Sequence, residues 1–598
     1  MCGIAGLLSA KSPPNNLHVL LERMNFAQQH RGPDDQGIYI SPCSLGALAH
    51  SRLSILDLSS AGHQPMSLAQ GRFWISFNGE IYNYLELRQK LEAQGETFIS
   101  NTDTEVILKL FQLYGKDCLK HLRGMFAFAL WDEQQQGCFL ARDPLGIKPL
   151  YFWSSGDYFL FASEIKALLA TGLVSKEIDS TGLYGYLING SVPEPYTLIK
   201  SVQLLKAGHF LAWKSGIVTQ EQYWQIQFKS QTVDQFEAVE KTRSALTSTI
   251  EAHLISDVPV GIFLSGGIDS STIVALSRQS QAQQLRTYSI SFEEKFWNEG
   301  DVARRVANHF KTTHSEHLVS SQLGRELLSR FFAAIDQPTI DGFNTFCISY
   351  FAHQNGAKVV LSGLGGDELF GGYNIFQRLP QMLNYGKISD FLQPYSHWLG
   401  NGLEYFHYFT ACRKIGRFLQ SSPTLDTAYS IFRSIFLHEE ALKIIDYYFP
   451  DLPPPELSCE DPVFEFPFVE DTISFLELSR YMRNQLLRDS DVMSMTWGLE
   501  LRVPFVDSML VDTLASIPAP IRLAQGKRLL KQAVPELPDW LLKLPKKGFT
   551  FPLPLWLSSE WRDIYSSTGF PPGISLKSWY RRWSLFILMN WWQRIIQT

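Results

Sequence analysis

The strongest constraint on the fold is a change in hydrophobic pattern near residue 235. Before it, short runs of alternating apolar residues recur between Gly, Asn, Asp or Pro, a pattern typical of half-buried strands. These runs lie at residues 73–77, 125–131, 137–141 and 158–162. Helical periodicity occurs at 85–91 and at 104–114, where Thr102 or Asp103 is placed to cap the helix. This part therefore predicts a sheet-rich α+β domain.

After a polar stretch at 228–235, which we interpret as a linker, long helical patterns alternate with single buried strands. The strands lie at residues 261–264, 287–292 and 358–361. Strands separated by helices predict an α/β domain with a parallel, doubly wound sheet, which becomes mostly helical beyond residue 380. Since 598 residues are too many for one core, we predict two domains, 2–215 and 235–598.

Charge and cysteine usage exclude several classes of protein. A formal net charge of −6 is small for this length and indicates neither a nucleic-acid nor an anionic-membrane surface. The seven cysteines show no CxxC pair and no metal-ligand spacing, as expected in a reducing compartment. We find no apolar run long enough to span a bilayer and no secretory signal. We therefore expect a cytoplasmic protein without nucleic-acid or membrane partners, and the oligomeric state stays open, a homodimer included.

Cys2 follows the initiator methionine directly. Chance explains many such cysteines. The functional alternative requires removal of Met1, after which Cys2 carries both a thiol and a free α-amine that can act as its general base. A thiolate is a strong nucleophile toward an amide carbonyl.

Five further motifs in a fixed order favour the functional alternative. They are His30–Gly37, Ser51–Asp57, Phe77–Asn83, Asn101–Glu105 and Arg142–Tyr151. With Cys2 they closely resemble the class II glutamine amidotransferase domain over roughly residues 2–215. The resemblance implies an αββα sandwich of the N-terminal-nucleophile type, with Cys2 as the nucleophile that releases ammonia from glutamine.

The resemblance also assigns roles to individual residues of this domain. Asn78 and the backbone N–H of Gly79 are suited to stabilise the tetrahedral oxyanion. Arg52 can bind the α-carboxylate of glutamine through its guanidinium fork, and Asp103 can bind the α-ammonium. The structural alternatives are a surface ion pair for Arg52 and a helix cap for Asp103, and we interpret His30 as structural. The implied glutamine-binding set is Arg52, Leu53, Ser54, Ile55, Leu56, Asn78, Gly79, Glu80 and Asp103.

In the second part, the string Leu-Ser-Gly-Gly-Ile-Asp-Ser-Ser at 264–271 follows a buried strand and leads into a helix. Backbone N–H groups in such a turn bind phosphate. The chain has no GxxxxGK[ST] motif, and this string instead resembles the pyrophosphate-binding loop of ATP pyrophosphatases. That resemblance implies adenylation of a carboxylate. Asp269 in this string and Asp367 in a second glycine-rich string, 361–373, are candidate Mg²⁺ ligands.

The combination of both parts resembles the glutamine-hydrolysing asparagine synthetases over nearly the whole chain, including 488–491 and 499–507. The resemblance implies glutamine, ATP and aspartate as substrates, with Mg²⁺ as cofactor. It makes Lys546 the catalytic lysine, with Lys547 as the alternative. The implied nucleotide-binding residues are Leu264, Ser265, Gly266, Gly267, Asp269, Ser270, Ile290, Ser362 and Gly363.

Leu364 departs from the family pattern, because many members carry an acidic residue there that is thought to assist ammonia attack. Leucine cannot act as a base, so either Glu368 or water does so, or the acceptor differs from aspartate. One alternative function is therefore amidation of another carboxylate, in a cell-envelope or secondary-metabolite pathway. A second is a non-catalytic scaffold, against which the intact Cys2, Arg52 and Asp103 argue.

Two other features are predicted to be structural. The aromatic C-terminal run 579–592 has the spacing of a packed helix face rather than a membrane-surface helix. His309, His314 and His317 lack a fourth ligand and do not predict a metal site. Because free ammonia becomes ammonium in water, two sites on one chain imply an enclosed passage between them.

Overall fold

The computed structural model describes most of the chain, with short gaps. The described residues are 2–280, 285–391, 410–421, 424–457, 464, 466–548, 550–566 and 568–597. Met1, whose removal the sequence predicts, lies outside them.

Two six-stranded antiparallel sheets form the first domain. Their strands are β1 (Gly3–Ser9), β2 (Asp35–Ile40), β3 (Gly46–Arg52), β4 (Met66–Leu68), β5 (Phe73–Ile81), β6 (Gly124–Asp132), β7 (Gly137–Arg142), β8 (Tyr151–Ser154), β9 (Tyr158–Ala162), β10 (Val202–Leu204), β11 (His209–Lys214) and β12 (Ile217–Gln222). The order is β10-β8-β9-β1-β3-β2 in one sheet and β12-β11-β7-β6-β5-β4 in the other. All four strands predicted in this part are confirmed, as β5, β6, β7 and β9.

The two sheets pack face to face and are covered by helices on their outer faces. Leu8 and Leu48 of the first sheet meet Trp131 and Leu140 of the second in one buried cluster. The outer face of the first sheet packs against helix Leu17–Ala27. The helices that cover the second sheet are Tyr84–Ala93 and Asp103–Tyr114. The predicted αββα sandwich is confirmed.

A five-stranded parallel sheet forms the centre of the second domain. Its strands are β13 (Val260–Phe263), β14 (Arg286–Phe292), β15 (Thr313–Val319), β16 (Val359–Leu361) and β17 (Glu500–Arg502). The order β15-β14-β13-β16-β17 confirms the predicted doubly wound sheet and reverses direction between β13 and β16. Such a reversal leaves a crevice at the carboxyl ends of the strands, where ligands bind in this class of fold. Both glycine-rich strings begin at that crevice.

Helices make up most of the rest of both domains. Those not yet given are Ile165–Leu169, Ser180–Asn189, Gln235–His253, Ile268–Ser280, Gly300–Phe310, Ser321–Ala334, Phe343–Gln354, Gly366–Leu369, Ile375–Phe391, Thr410–Gln420, Leu425–Arg433, His438–Tyr448, Val469–Leu476, the π-helical Glu477–Leu487, Arg488–Met495, Ser508–Ala515, Ala519–Arg522, Arg528–Ala533, Asp539–Leu542, Leu553–Ser558 and Trp579–Gln597.

The connection between the domains is hydrogen-bonded to the second domain at two residues. The Lys229 N–H donates to the Ala515 carbonyl at 3.1 Å, and the Gln231 N–H donates to the Ser516 carbonyl at 2.8 Å. Two backbone N–H groups of the polar stretch at 228–235 are thus paired with the second domain.

The aromatic C-terminal helix is part of the core. Trp583, Leu585, Ile587 and Leu588 are fully buried in the same cluster as the helices of the second domain. Among the residues that the structure describes, no helix combines the length and the apolar character needed to cross a bilayer.

Candidate active site

Cys2 directly precedes β1 and is buried against Asn78 on β5. Its main-chain nitrogen donates to Asn78 Oδ1 at 2.9 Å. Burial raises the pKa of the Cys2 thiol, whereas the Leu53 N–H and the Arg52 guanidinium lower it. The net shift of the Cys2 pKa is upward, so these two groups offset the effect of burial only in part and the thiol form is favoured.

The opposite end of the Asn78 amide is a free hydrogen-bond donor. Asn78 Nδ2 is buried and has no hydrogen-bond partner within the described residues. An unpaired buried donor is costly and is explained most simply by a ligand that fills it. Gly79 beside it has a φ of +156°, and a Cβ there would lie 2.1 Å from the Met125 carbonyl oxygen, so only glycine fits. Both predicted oxyanion donors thus lie together on β5.

Arg52, the last residue of β3, presents a buried positive charge to the loop that follows the strand. Its guanidinium donates to the carbonyl oxygens of Ser59 at 3.1 Å, Leu56 at 3.2 Å and Asp57 at 2.6 Å. These partners are neutral, so they orient the cation without neutralising it. The surface ion pair considered for Arg52 is wrong, because the side chain is only 6% exposed. A guanidinium that is oriented by carbonyl oxygens fits a carboxylate ligand.

Asp103 lies at the first turn of helix Asp103–Tyr114, but it is not the cap. The cap is Thr102, whose Oγ1 accepts from the Glu105 N–H at 3.3 Å. Asp103 Oδ2 accepts from the Ile81 N–H at 2.9 Å. Burial raises the pKa of Asp103 to about 6, although the Ile81 N–H acts in the opposite direction. A buried carboxylate with backbone partners alone is suited to bind an ammonium group.

The other predicted glutamine-binding residues line the same loops, with one exception. Leu53 is buried, and the Ser54 N–H donates to Asp34 Oδ2 at 2.8 Å. The Glu80 side chain points away and forms an ion pair with Arg502 of the second domain at 3.2 Å. Only the backbone of Glu80 is therefore suited to contact glutamine.

Arg31 is a residue of this site that the sequence did not single out. Its Nε donates to the Cys2 carbonyl at 3.1 Å, and its guanidinium pairs with Glu164 at 3.0 Å and with Asp491 of the second domain at 2.7 Å. His30 pairs with the same Glu164 at 3.0 Å, consistent with the predicted structural role. The His30-Arg-Gly motif was the only signal for Arg31, and nothing in it identifies Asp491 as the partner.

In the second domain, the string after β13 forms a tight polar turn at the start of helix Ile268–Ser280. Ser265 Oγ lies 3.1 Å from Ser270 Oγ and accepts from the Gly267 N–H at 3.3 Å. Gly266 has a φ of +79°, and a Cβ there would clash with Val302 and Ala303. The nest of N–H groups for phosphate stays a prediction for this turn.

The second string packs directly against the first. A Cβ on Gly363 would lie 2.9 Å from the Ser270 nitrogen, so glycine permits the contact. The Ser362 N–H is bonded to the end of β17, and Ile290 is buried on the neighbouring β14. Leu264 is also buried, and its N–H donates to the Tyr288 carbonyl at 2.8 Å. The structure thus brings the predicted nucleotide residues to one edge of the sheet.

Asp269 and Asp367 converge on one cation, Lys527. Its Nζ lies 2.5 Å from Asp269 Oδ2 and 2.5 Å from Asp367 Oδ1. Burial raises the pKa of Asp269 despite Lys527, whereas for Asp367 the two lysines outweigh burial and lower the pKa. Lys527 was not identified as a site residue from the sequence. The Gly526-Lys527 pair indicates a turn, and Lys527 has a φ of +57° there, but a turn does not predict an ion pair with Asp269 and Asp367.

Of the two candidate lysines near the end of the chain, Lys546 lies at this cluster. Its Nζ is 2.7 Å from Asp367 Oδ1 and 4.8 Å from the centroid of the Tyr373 ring. Lys547 instead donates to the Phe296 carbonyl at 2.5 Å. The geometry therefore favours Lys546 as the lysine that faces a bound triphosphate.

Leu364 and Glu368 differ in whether they present a polar group to the predicted nucleotide-binding edge of the sheet. Leu364 packs against the apolar core of the domain and supplies no polar atom. Glu368 is 1% exposed and accepts from the Tyr373 hydroxyl at 2.9 Å. Burial, together with Asp367, raises the pKa of Glu368 to about 8, so it holds a proton at neutral pH. Glu368 is thus a buried acid rather than an open base.

A cavity of about 600 Å³ lies between the domains beside this edge. Asn189 and Ser191 of the first domain line it, together with Trp297, Tyr481 and Phe551 of the second. The Tyr481 ring is 6.1 Å from that of Tyr373, the residue that contacts both Lys546 and Glu368. Tyr481 therefore connects the wall of the cavity to Tyr373 beside Lys546.

Within the described residues, no group of three or more His, Cys, Asp or Glu side chains is arranged as a metal site. His314 is bonded to Thr287 and Ser289, and the His317 ring stacks on Phe351. The Asp269–Asp367 pair remains the best fit to a divalent cation, because both carboxylates already face one positive charge.

The sequence matches two protein families in succession. Residues 1–224 match a family described as glutamine amidotransferase domain, and residues 241–572 match asparagine synthase.

Full-length relatives come from bacteria and fungi. Asparagine synthetase [glutamine-hydrolyzing] 1 of Bacillus subtilis is 33% identical, over 94% of this chain and 89% of its own length. A putative asparagine synthetase [glutamine-hydrolyzing] of Mycobacterium tuberculosis is 32% identical, with 95% and 90% covered. A protein named amidase chry2 of Gibberella zeae is 27% identical, with 93% and 90% covered.

Proposed function

The chain belongs to the asparagine synthase family, and on that premise we propose that it transfers the amide nitrogen of glutamine to a carboxylate that ATP has activated as an acyl-adenylate. As a member of this family it is a glutamine-dependent, ATP-using ligase. The observation that carries the proposal is the unpaired Asn78 Nδ2 beside Cys2. A scaffold would have no reason to keep a buried donor without a partner next to a buried thiol.

In the first half-reaction, the Cys2 thiolate attacks the side-chain amide of glutamine. The main-chain nitrogen of Cys2, an amine once Met1 is removed, accepts the thiol proton and is held by Asn78 Oδ1. The oxyanion then forms against Asn78 Nδ2 and the Gly79 N–H, and each such donor is worth about 3–4 kcal/mol of barrier. Arg52 and Asp103 bind the α-carboxylate and the α-ammonium of glutamine. The protonated Cys2 amine then gives its proton to the leaving nitrogen, so ammonia departs and a thioester remains. Water hydrolyses the thioester to glutamate and restores the thiol.

In the second half-reaction, a substrate carboxylate attacks the α-phosphate of ATP. The turn at 264–270 binds the phosphates, and Lys546 stabilises the charge that develops on the leaving pyrophosphate. The carboxylate, a poor electrophile, becomes a good one as its adenylate. Ammonia then attacks the acyl carbon, and AMP leaves.

Mg²⁺ fits the acidic pair of this domain. Asp269 and Asp367 supply hard oxygen ligands that converge within one cation's reach, as their shared contact with Lys527 demonstrates. When bound, Mg²⁺ neutralises triphosphate charge. Lys527 forms ion pairs with both carboxylates and so holds them close together.

Aspartate is the first acceptor to test, because the asparagine synthetases named above are similar to this chain over almost its whole length. The experiment follows pyrophosphate, AMP, glutamate and asparagine with ATP, glutamine and aspartate present. We expect equal amounts of pyrophosphate and asparagine. Glutamine hydrolysis without any aspartate-dependent pyrophosphate would contradict aspartate as the acceptor and leave the glutaminase half standing.

A second candidate acceptor is a larger carboxylate with a ring-sized apolar body. Leu364 removes an acidic group from the activation edge, and the adjoining cavity of about 600 Å³ falls in the range of about 300–1,000 Å³ that holds drug-sized ligands. Its walls carry aromatic side chains, including Trp297, Tyr481 and Phe551. Flat apolar groups pack well on such walls.

The discriminating measurement is pyrophosphate release across a panel of carboxylates that contains aspartate, benzoate derivatives and N-aryl amino acids. Replacement of Ser191 by Trp would narrow the cavity and leave the nucleotide edge unchanged. We expect this variant to lose activity with the larger acids only. A wild-type preference for aspartate over the whole panel would exclude the second candidate.

A further inference from the structure

Arg502, at the end of β17, contacts parts of both predicted sites from a fully buried position. Its carbonyl accepts a hydrogen bond from the Ser362 N–H at 2.9 Å. Its guanidinium forms ion pairs with Glu80 at 3.2 Å and with Glu500 at 2.5 Å. One residue therefore contacts the nucleotide string through its main chain and the glutamine site through its side chain.

The Glu80 end of this contact leads directly to the cysteine site. Glu80 follows Asn78 and Gly79 on β5, and all three are held in register against β6. Asn78 in turn accepts the hydrogen bond from the Cys2 nitrogen. Because packed interiors have low compressibility, a displacement of the Arg502 guanidinium reaches the oxyanion donors within two residues.

A second route runs through the segment that follows helix Gln235–His253. Arg502 Nη1 donates to the carbonyl oxygens of His253 and Ile255, each at 2.7 Å. Two residues further on, Asp257 Oδ2 accepts from the Asp57 N–H at 2.8 Å. The same segment leads into β13 and the turn predicted to bind phosphate. Arg502 therefore fixes a stretch of backbone that contacts the loop after β3 at one end and continues into the nucleotide site at the other.

We propose that Arg502 is a positioning residue that couples glutamine hydrolysis at Cys2 to occupancy of the nucleotide site. This role rests on the proposed function, because it concerns the two sites between which ammonia passes. A nucleotide that binds at Ser362 displaces the Arg502 main chain, which is hydrogen-bonded to Ser362. The Arg502 guanidinium then moves as well and displaces Glu80, its ion-pair partner. Arginine suits this role, since its planar fork serves several partners at once, whereas lysine offers a single nitrogen.

The test is Arg502→Lys, which keeps the charge and removes the fork. We expect it to retain pyrophosphate release with added ammonia, because no atom of Arg502 is placed on a substrate. The ratio of glutamate to pyrophosphate formed with glutamine should rise at least about fivefold, the lower end of typical couplings between sites. A merely structural role would lower both activities and the melting temperature together and leave the ratio unchanged.

The matched control is Arg123→Lys. Arg123 also pairs across the domains, with Asp507 at 2.9 Å, but it touches neither string. Its ratio should stay at the wild-type value. A second test variant, Asp257→Ala, cuts the other route at an exposed side chain, so it decides the question if Arg502→Lys does not fold. It should also raise the ratio.

An unchanged ratio in Arg502→Lys, or in Asp257→Ala if only that variant folds, would overturn the proposal. An equal rise in Arg123→Lys would overturn it too, because it would show general loosening of the domains. Failure of the proposed function gives a different result, namely no pyrophosphate from the wild type with any acceptor. In that case the variants are compared by the change in their rate of glutamate formation when ATP is added. If ATP does not change this rate in the wild-type protein, the coupling proposal is contradicted.

Discussion

Lys527 Nζ lies 2.6 and 2.5 Å from the two carboxylate oxygens of Asp269, although 258 residues separate them in the chain. The same nitrogen contacts Asp367, so a single cation holds the acidic pair of the nucleotide site together. Lys527→Met would leave these two carboxylates to repel each other. We expect pyrophosphate release to fall about 10²–10³-fold, the usual effect of losing one preorganised charge, while glutamine hydrolysis persists.

The control for this variant is Lys531→Met, one turn further along helix Arg528–Ala533. The Lys531 ammonium group donates to the Leu542 carbonyl at 3.3 Å, and Lys531→Met should leave pyrophosphate release unchanged. Equal losses in both variants would mean that the helix, rather than the Lys527 charge, was damaged.

Cys2 supplies nitrogen only, so its loss should separate the two half-reactions. Cys2→Ala should abolish glutamine hydrolysis and glutamine-dependent amide formation, yet keep synthesis from added ammonia. The measurement is amide formation with each nitrogen source, and Cys43→Ala, a half-buried thiol outside the site, is the matched control. Loss of both activities in Cys2→Ala alone would contradict the division of labour between the domains.

The unpaired amide of Asn78 predicts a specific kinetic defect. Asn78→Ala should lower kcat for glutamine hydrolysis about 10²–10³-fold, because one oxyanion donor is removed. KM for glutamine should change much less, since the donor acts mainly in the transition state. A variant that raises KM and keeps kcat would instead place Asn78 in substrate binding.

The raised pKa of Asp103 predicts how kcat/KM for glutamine hydrolysis falls on the acidic side (the acidic limb) of its pH profile. Its pKa is raised by burial to about 6, so the ionised form that binds the glutamine ammonium is lost as pH falls through 6. We expect kcat/KM for glutamine to rise with pH and level off above this value. Asp103→Asn should weaken glutamine binding at every pH and remove this limb. A limb that persists in Asp103→Asn belongs to another group.

Removal of divalent cations should affect one domain only. With EDTA present, pyrophosphate release should stop and glutamine hydrolysis should continue, because the carboxylates suited to Mg²⁺ are Asp269 and Asp367 alone among the predicted site residues. Titration with Mg²⁺ should restore activity, and Asp367→Asn should require more Mg²⁺ for half-restoration. A normal Mg²⁺ requirement in that variant would exclude Asp367 as a ligand.

The sequence predicted those parts of the fold and site that depend on local pattern. Alternating apolar runs located β5 and β6, and Asn78 and Gly79 stand together because adjacent residues on a strand cannot separate. The αββα arrangement came from the family resemblance, since periodicity alone does not order strands in a sheet.

Residues joined across long separations could not be predicted in the same way. Lys527 and Arg31 carry no motif that names their partners, and the side-chain direction of Glu80 depends on Arg502 in the other domain. The cap at Thr102, rather than Asp103, depended on a one-residue boundary, which sequence patterns define least well.

Arg31 and Lys148 end on the same carboxylate, Asp491, at 2.7 and 3.2 Å, and all three side chains are almost completely buried. Two cations of the first domain therefore share one carboxylate of the second, and Arg31 is also paired with Glu164 of its own domain. Removing one partner of a buried ion pair costs about 3–5 kcal/mol, comparable to much of a domain's stability. The glutaminase half therefore depends on the second domain for its stability. If it were excised or fused to another synthetase, it would need a replacement for Asp491. Recombination between distant members of the family would have to exchange both halves together.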